Sequence, residues 1–257
     1  MSRGVFIAGT DTDVGKTRVA LALLRALAAR GVRAAGMKPV ATGSRPLTAS
    51  ELTTAGGFYS LGDMINDDVA QIYALSAPDC DRSDINPYCF EWAVSPHIAA
   101  DQSGVRIEPE HVAAAYGRLA ARVDAVVVEG TGGWLAPIGE LGTMADIAAR
   151  LNLPVVLTVG LRIGCLNHAL LTVQAIGVSN LKLAGWIGSV LRPDMPALEQ
   201  NLATLDALLG VPRLALLPYS ITTEADASHM VAAVATLFDE QLDEQLDEQR
   251  GSSTDAT

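Results

Sequence analysis

The chain has 257 residues, of which 49% are hydrophobic and only 18% are charged, so its body is expected to fold around a large buried core rather than stay disordered. Aromatic residues make up 5% of the chain, which leaves Ala, Val, Leu and Ile to build that core. The formal net charge of −11 argues against a partner that is a nucleic acid, because a protein that coats nucleic acid needs a basic face.

The cysteines and the apolar runs indicate the compartment. Cys80, Cys89 and Cys165 are too few and too scattered for a disulfide framework or a metal clip, which favours free thiols in a reducing environment. The apolar stretch near the N-terminus is too short for a signal peptide, and no run reaches the roughly 18 apolar residues that suggest a membrane span. We therefore expect a cytoplasmic protein with no membrane partner.

Short apolar runs alternate with helical patterns, which is typical of a mostly parallel α/β sheet with helices on both faces. The predicted strands cover residues 5–8, 34–40, 124–128, 155–159, 183–187 and 214–217. The predicted helices cover residues 15–30, 64–75, 109–122, 143–151, 164–176, 196–209 and 226–238. Residues 43–62 are rich in Gly, Ser and Thr and are predicted to form a loop. Right-handed crossovers bring the carboxyl ends of parallel strands, and hence the functional site, to one edge of the sheet.

The chain is predicted to form one domain over residues 1–238, followed by an acidic tail over residues 239–257. The tail repeats Asp-Glu-Gln-Leu twice and carries a net charge of −6, which leaves −5 for the rest of the chain. The repeat places like charges four residues apart, which destabilises a helix. We expect a frayed helix that runs into disorder.

The strongest motif is Gly9-Thr10-Asp11-Thr12-Asp13-Val14-Gly15-Lys16-Thr17, directly after a predicted strand and directly before a predicted helix. A turn of this kind offers convergent N–H donors to phosphate oxygens, and it predicts a single-domain P-loop NTPase. Lys16 is expected to reach the β- and γ-phosphates of ATP, and the Thr17 hydroxyl to bind Mg²⁺. The motif departs from the general pattern, since five residues rather than four separate Gly9 from Gly15. The predicted ATP contacts of this region are Asp13, Val14, Gly15, Lys16, Thr17 and Arg18.

Glu129 is the second candidate, because it ends a buried strand and precedes the glycine-rich turn Gly130-Thr131-Gly132-Gly133. Nucleotide hydrolases hold magnesium with an acid in this position. A helix cap or a surface acid is the alternative interpretation of Glu129.

Two further charged residues are weaker candidates when they are taken alone. Lys38, in Gly36-Met37-Lys38-Pro39-Val40, ends the second predicted strand, where an ammonium would neutralise charge on a phosphoryl group or a reacting anion. A lysine on a loop is also often simply solvated. Asp68 is the other candidate, although Asp67 and Asp68 equally suit the start of the helix that follows.

These motifs, taken together and in this order, resemble those of the dethiobiotin synthetase family, over about residues 4–220. The segments that carry the resemblance are Gly9–Thr17, Gly36–Val40 with Thr42 and Gly43, Asn86–Phe90, Ser95–Ala99, Val128–Trp134 and Gly164–Ala169. The stretch 45–66 is longer than the family pattern, and the acidic tail lies outside it.

The resemblance implies an ATP- and Mg²⁺-dependent ligase of biotin biosynthesis. Such an enzyme takes 7,8-diaminononanoate and CO2, or bicarbonate as its source, and makes the cyclic urea of dethiobiotin with ADP and phosphate. One amine captures CO2 as a carbamate, which attacks the γ-phosphate to give a carbamic-phosphoric anhydride, and the second amine then closes the ring. The charge that develops is anionic throughout, so Lys16 and Lys38 are the predicted catalytic residues.

The resemblance also assigns roles residue by residue. Thr17, Asp68 and Glu129 are expected to share Mg²⁺, while Thr12 and Thr42 are expected near the diamine. The residues Glu129, Gly130, Thr131 and Gly132 are expected beside the ATP phosphates. A homodimer is implied, in which Cys165, Leu166 and Asn167 reach into the neighbouring subunit's site and bind the far carboxylate of the substrate. On the residues alone, Asn167 also suits an ordinary helix start.

The segment expected at the nucleotide base departs from the family pattern. Ser189 and Val190 stand where the family commonly has Asn-Asp, and Ser189 offers one hydroxyl where an amide offers a paired donor and acceptor. We therefore predict a preference for ATP over CTP or GTP well below 100-fold, which competition assays measure. Pro218, Tyr219 and Ser220 match a second base-contacting segment.

Three other functions fit parts of the pattern less well. An amidase of the cobyrinic-acid type needs a glutaminase domain, for which the chain is too short. A partner-regulated ATPase switch of the partitioning type carries a second lysine early in the phosphate loop, where this chain has Asp11 and Thr12. A small-molecule kinase would need an arginine-rich lid, and residues 45–62 contain only Arg45.

Overall fold

The computed structural model describes residues 3–48, 63–140, 142–219 and 225–239, and these ranges form a parallel sheet with helices packed against it. The strands, in chain order, are β1 (Arg3–Gly9), β2 (Ala34–Met37), β3 (Val40–Ala41), β4 (Arg45–Pro46), β5 (Met64–Ile65), β6 (Tyr88–Cys89), β7 (Ala125–Glu129), β8 (Val155–Leu161), β9 (Leu183–Val190) and β10 (Arg213–Leu217). The helices are α1 (Lys16–Ala29), α2 (Asp67–Leu75), α3 (Arg82–Ile85), α4 (Pro96–Gln102), α5 (Pro109–Ala120), α6 (Met144–Leu151), α7 (Cys165–Val178), α8 (Leu198–Leu208), α9 (Asp226–His229) and α10 (Val231–Val234). A π-helical turn over Ala235–Asp239 follows.

The main sheet has six strands in the order β10-β9-β8-β1-β7-β2, and every pair in it is parallel. The prediction of a parallel α/β sheet is therefore confirmed, and a strand of this sheet lies at each of the six predicted positions, although the second is shorter than predicted. The first strand lies in the middle of the sheet, between β7 and β8. The carboxyl end of β1, where the glycine-containing motif begins, consequently lies between the ends of two buried strands.

The core is built mainly from aliphatic side chains, as the low aromatic content predicts, although Trp186, Phe6 and Phe238 are among its largest fully buried side chains. The strands β7 and β8 are buried along their whole length, which explains why their sequences read as continuous apolar runs. Helix α1 covers β1, β2 and β7 with a face of leucines, and α7 packs on β8 and β9. Within the part of the chain that the structure describes, none of the helices has the length and apolar character that a membrane span requires.

The second predicted strand, 34–40, is wrong as one element, because the main sheet loses it after Met37. Pro39 has no N–H group to donate to a strand ladder, and the Lys38 amide donates instead to the Ile85 carbonyl at 2.8 Å. The chain then pairs with β6 as the short strand β3. Lys38 thus lies in a break between two strands, at the edge where functional groups collect.

Other boundaries differ for local reasons. The helix predicted over 64–75 begins at Asp67, because Asn66 caps it and residues 64–65 form β5. The loop predicted over 43–62 is wrong at residues 45–46, which pair antiparallel with β5, and residues 49–62 lie outside the described ranges. The helix predicted over 226–238 is divided into α9, α10 and the π-helical turn. The tail after residue 239 also lies outside the described ranges, so its disorder stays a prediction.

Candidate active site

The residues of the glycine-containing motif form a loop between β1 and α1 with two left-handed backbone positions. Gly15 has φ +93° and caps α1, and Asp13 has φ +57°. A Cβ on Gly15 would lie 2.6 Å from the Ser189 hydroxyl oxygen, so only glycine fits there. No side chain caps α1, which leaves the first amides of the helix free to face an anion.

Lys16 lies over its own loop. Its side chain is buried, and its ammonium donates to the Asp11 carbonyl at 2.8 Å. Burial, which is the largest effect, lowers the pKa of Lys16 to about 8 despite the opposing attraction of Glu129. The cation is therefore partly desolvated and held close to where the loop amides converge.

Lys38 joins two carboxylates from different parts of the chain. Its ammonium donates to Glu129 Oε1 at 3.0 Å and also pairs with Asp68. Burial alone would lower the pKa of Lys38, but the charges of Glu129 and Asp68 outweigh it and raise that pKa above its ordinary value. Lys38 is thus charged at neutral pH, at the sheet edge.

Glu129 connects this cluster to the phosphate loop, because its Oε1 also accepts a hydrogen bond from the Thr17 hydroxyl at 2.6 Å. Glu129 is 1% exposed, and its second oxygen, Oε2, is buried with no hydrogen-bond partner. An unpaired buried carboxylate oxygen is costly, which points to a ligand that it meets when the site is loaded.

The residues present fit Mg²⁺. The hydroxyl of Thr17 and the carboxylates of Asp68 and Glu129 are hard oxygen donors, which Mg²⁺ prefers, and Mg²⁺ commonly completes its shell with water and phosphate oxygens. In the described part of the chain no group of three or more His, Cys, Asp or Glu side chains is arranged to hold a metal. The predicted set has only two carboxylates, so that result is compatible with a site completed by a nucleotide.

The turn after β7 lies close to the phosphate loop. Gly132 has φ +68°, and a Cβ on it would lie 3.8 Å from the Thr12 hydroxyl oxygen. The Thr131 hydroxyl donates to the Val40 carbonyl, and so joins this turn to the segment after Lys38. Gly130 packs on Phe6 at the end of the central strands.

Thr42 is held near the same cluster through Asn66. The Asn66 side chain donates to the Thr42 carbonyl at 3.0 Å and accepts from the amides of Asp68 and Val69, which begin α2. This one amide group therefore fixes both a predicted substrate contact and a predicted metal ligand.

The start of α7 carries Cys165, Leu166 and Asn167, of which Cys165 is buried and Asn167 is exposed. Gly164 caps this helix with φ +92°, and no side chain occupies its first amides. Arg162, just before the helix, forms an ion pair with Asp11 at 2.5 Å. The α7 start is thereby tied to the phosphate loop of its own chain.

The segment predicted at the nucleotide base has an unexpected arrangement. The strand predicted to end at Ile187 continues as β9 to Val190, so Ser189 lies within the sheet, 1% exposed and directly under Gly15. Pro218 accepts a hydrogen bond from Arg18 through its carbonyl at 2.7 Å, Tyr219 is half exposed, and Ser220 lies outside the described residues. The selectivity expected from Ser189 stays a prediction.

No sequence pattern predicts two of the ion pairs in this region, Arg162 with Asp11 and Arg18 with Asp226. Residues 18 and 226 are 208 positions apart, and no local pattern connects them. The position of Arg18 directly after Thr17 was the only available signal. Asp13 and Val14 lie in the loop, whereas Arg18, which is also predicted to contact ATP, directs its guanidinium to Asp226 and to the Pro218 carbonyl.

The chain is similar to known proteins in sequence and in fold. A family model described as an AAA domain matches residues 3–227. The ATP-dependent dethiobiotin synthetase BioD of Aromatoleum aromaticum is 43% identical over 90% of this chain and 96% of its own length. The protein of the same name from Nitrosospira multiformis is 38% identical over 93% of this chain and 96% of its length.

Solved structures of more distant proteins share the fold alone. The septum site-determining protein MinD of Pyrococcus horikoshii, determined with Mg-ADP, aligns with a TM-score of 0.53 at 17% identity over 96% of this chain and 98% of that protein. The cell division ATPase MinD of Pyrococcus furiosus aligns with a TM-score of 0.52 at 16% identity over 94% and 100% of the two chains. These likenesses confirm the P-loop NTPase fold. The close sequence relatives, matched over nearly their full length, place the chain in the family of ATP-dependent dethiobiotin synthetases.

Proposed function

We propose that the phosphate loop and the Lys38 cluster carry out the carboxylation and ring closure of 7,8-diaminononanoate with CO2 and ATP, as a ligase of biotin biosynthesis. The observation that supports this most directly is the convergence of Lys16, Lys38, Glu129 and Thr17 beside free helix amides, in a chain of the dethiobiotin synthetase family. All these groups suit a reaction in which anions meet.

The reaction balances without a covalent bond to the protein. An amine nitrogen of the substrate bonds to the carbon of CO2 and loses a proton, which gives a carbamate. A carbamate oxygen then bonds to the γ-phosphorus as the bond to the β-phosphate oxygen breaks, and ADP leaves. The second amine attacks the carbonyl carbon, a C–N bond forms, and phosphate departs as that nitrogen loses its proton.

The two lysines have separate roles in this proposal. Lys16 lies over the loop and would contact the phosphates, whereas Lys38 lies at the strand break and would contact the carbamate and the transferring phosphoryl group. Holding both anions between fixed cations reduces their mutual repulsion, which is the main obstacle to the attack.

Mg²⁺ would be held by Thr17, Asp68 and Glu129, where it would offset the negative charge of the nucleotide phosphates. The unpaired Oε2 of Glu129 supports this assignment. The ATP phosphates would lie along Asp13 to Thr17, beside the turn Glu129 to Gly132. Thr12 and Thr42 would border the diamine, because Thr12 adjoins that turn and Thr42 adjoins the Asp68 helix.

The decisive assay measures phosphate release by the purified chain with ATP. We expect release that depends on both diaminononanoate and bicarbonate, and formation of dethiobiotin in equal amount. Phosphate release that is indifferent to the diamine would contradict the proposed function and would favour a partner-regulated ATPase of the partitioning type.

We also propose that the enzyme is a homodimer in which the start of α7 completes the partner's site. Apolar side chains lie exposed at and along this helix: Ile163 is 85% exposed and Leu171 is 57% exposed. The first amides of α7 would bind the substrate carboxylate, beside Cys165, Leu166 and Asn167. The free thiols support a reducing, cytoplasmic location.

Replacement of Ile163 by Asp tests the dimer. We expect the variant to sediment as a monomer and to lose activity at low protein concentration, because a buried charge disfavours association. The matched control is Val178→Asp at the other end of α7, also highly exposed, which should keep the wild-type mass if that end lies outside the interface. A wild-type chain that sediments as an active monomer would contradict the dimer.

A further inference from the structure

A buried ion pair outside every motif connects the phosphate loop to the C-terminal helices. Both carboxylate oxygens of Asp226 accept from Arg18, at 2.6 Å from Nε and 2.7 Å from Nη2. The Asp226 side chain is 2% exposed and that of Arg18 is 14% exposed. A buried salt bridge adds little to the free energy of unfolding compared with an apolar pair of the same size. What it does provide is a fixed geometry between its two side chains.

The same guanidinium makes a third contact. Arg18 Nη2 also donates to the Pro218 carbonyl at 2.7 Å. Arg18 is the third residue of α1 and follows Thr17 directly, so the phosphate loop and the residues after β10 share one anchor. The strand β10 lies at the sheet edge and has a pairing partner on one side only, and the helices α9 and α10 beyond it pack on α1 and on β10.

The residues held in this way border the expected nucleotide site. Tyr219 directly follows the anchored carbonyl and is half exposed, and β9, which carries Ser189 under Gly15, is the neighbour of β10. Arg18 meanwhile is turned towards Asp226 and Pro218, so its side chain is engaged away from the phosphate end of the loop.

We propose that Asp226 and Arg18 are a positioning pair that fixes Pro218 and Tyr219 at the base side of the nucleotide site, and so determine affinity for the nucleoside part of ATP without contacting its phosphates. This inference rests on the proposed function, since it takes that site to bind ATP. Asp226 acts through Arg18, and neither residue is a catalytic residue.

The test compares two ligands that share a triphosphate chain, ATP and inorganic tripolyphosphate, each bound with Mg²⁺ to the full chain and no diamine. For Asp226→Asn and Arg18→Gln we expect ATP affinity to fall roughly tenfold, because each change leaves one buried partner unmatched. Tripolyphosphate affinity should change less than about twofold, since the loop amides and Lys16 stay in place. A merely structural role would weaken both ligands together.

Two further variants keep the test informative. The double variant Arg18→Gln with Asp226→Asn should bind ATP no worse than either single variant, because residues that act as a unit are not additive. Arg18→Lys, which retains the charge but not the forked donor geometry, covers the case in which a neutral variant fails to fold. Arg213→Gln is the matched control, since it removes an ion pair to Asp206 at the opposite end of β10 and should leave both affinities unchanged.

ATP affinity at the wild-type level in all folded variants would overturn the proposal, as would equal losses for ATP and tripolyphosphate. Failure of the proposed function would be seen in a different experiment: the wild-type chain would release phosphate whether or not diaminononanoate is present.

Discussion

Lys38 shows how a residue acquires its chemistry from its place in the fold. The proline that follows it ends β2, so the lysine lies at the strand break with its ammonium between Asp68 and Glu129. Lys16 differs because burial lowers its pKa, whereas the pKa of Lys38 is raised by its two carboxylate neighbours. One lysine is therefore sensitive to what enters the site, and the other stays charged.

Replacement of Lys38 by Gln should separate binding from turnover. We expect the turnover number to fall on the order of 100-fold or more, because a cation that meets developing anionic charge is lost, while the Kd for ATP changes by less than about threefold. Steady-state kinetics with diaminononanoate and a fluorescent nucleotide titration measure the two quantities. An equal loss in both would move Lys38 from catalysis to nucleotide binding.

At the scale of an element, α2 depends on a single capping side chain. Asn66 accepts hydrogen bonds from the amides of Asp68 and Val69 and donates one to the Thr42 carbonyl. The same side chain therefore holds the start of α2 and the predicted substrate contact Thr42. The corresponding cap of α6 is Thr143, whose side chain and amide form a capping box with Asp146.

We predict that Asn66→Ala and Thr143→Ala each lower the free energy of unfolding by about 1 kcal/mol, the usual cost of losing a cap. Only Asn66→Ala should also reduce turnover, by roughly tenfold, since it frees both Asp68 and Thr42. Denaturant unfolding and turnover assays on the two variants provide the comparison. Equal activity of the two variants would show that the cap of α2 does not position the site.

Helix α5 supplies a pH-dependent contribution to stability through Tyr116. Burial raises the pKa of Tyr116 to about 12. Its hydroxyl lies against Gly4 of β1, so close that a Cβ on Gly4 would be 2.3 Å from the hydroxyl oxygen. The unfolded chain loses this proton near pH 10 and the folded chain does not, so stability falls between about pH 10 and pH 12.

Tyr116→Phe should therefore lose less stability than the wild-type chain as the pH rises from 9 to 11.5, by at most about 2 kcal/mol. The difference between the two chains is the quantity to measure, by urea unfolding at each pH, because the lysines titrate equally in both. Parallel pH curves for the two proteins would contradict the assignment.

The elements that sequence patterns predicted well are those whose own composition determines them. Burial of the three valines of β7 and of the leucine face of α1 is enough to specify these two elements. The observed boundaries of both lie within two residues of the predicted ones. The breaks at Lys38 and at Asn66 depend on a proline and on a cap whose partners lie elsewhere in the chain. Asp226 could not be predicted as a site neighbour, because its partner is fixed only by tertiary packing.

At the scale of the whole molecule, charge is unevenly distributed. More than half of the net −11 lies in residues 239–257, while the candidate site holds the buried side chains of Lys16 and Lys38. The overall charge thus describes the tail more than the site, and ligand attraction depends on the local field.

Removal of residues 240–257 should leave turnover and the melting temperature unchanged within error, and should retain the Arg30–Asp239 ion pair at 2.8 Å. The physical reason is that the repeat is mostly charged and polar, with like charges four residues apart, and so offers little apolar surface to the core. Thermal unfolding and the phosphate-release assay of the truncated chain test this. A loss of several degrees in melting temperature would assign the tail a structural role.

The central place of β1 also has a consequence for biosynthesis on the ribosome. The strand that carries the phosphate loop is made before the other strands of its sheet, yet its two neighbours begin at Ala125 and Val155. At roughly 5–20 residues per second, β1 waits on the order of 10–30 s for its second partner to be translated. During that interval Phe6 and Ile7 have no sheet to enter, so we expect this nascent segment to attract a chaperone, and the carboxyl end of β1 gains both of its neighbours only once β8 has been synthesised.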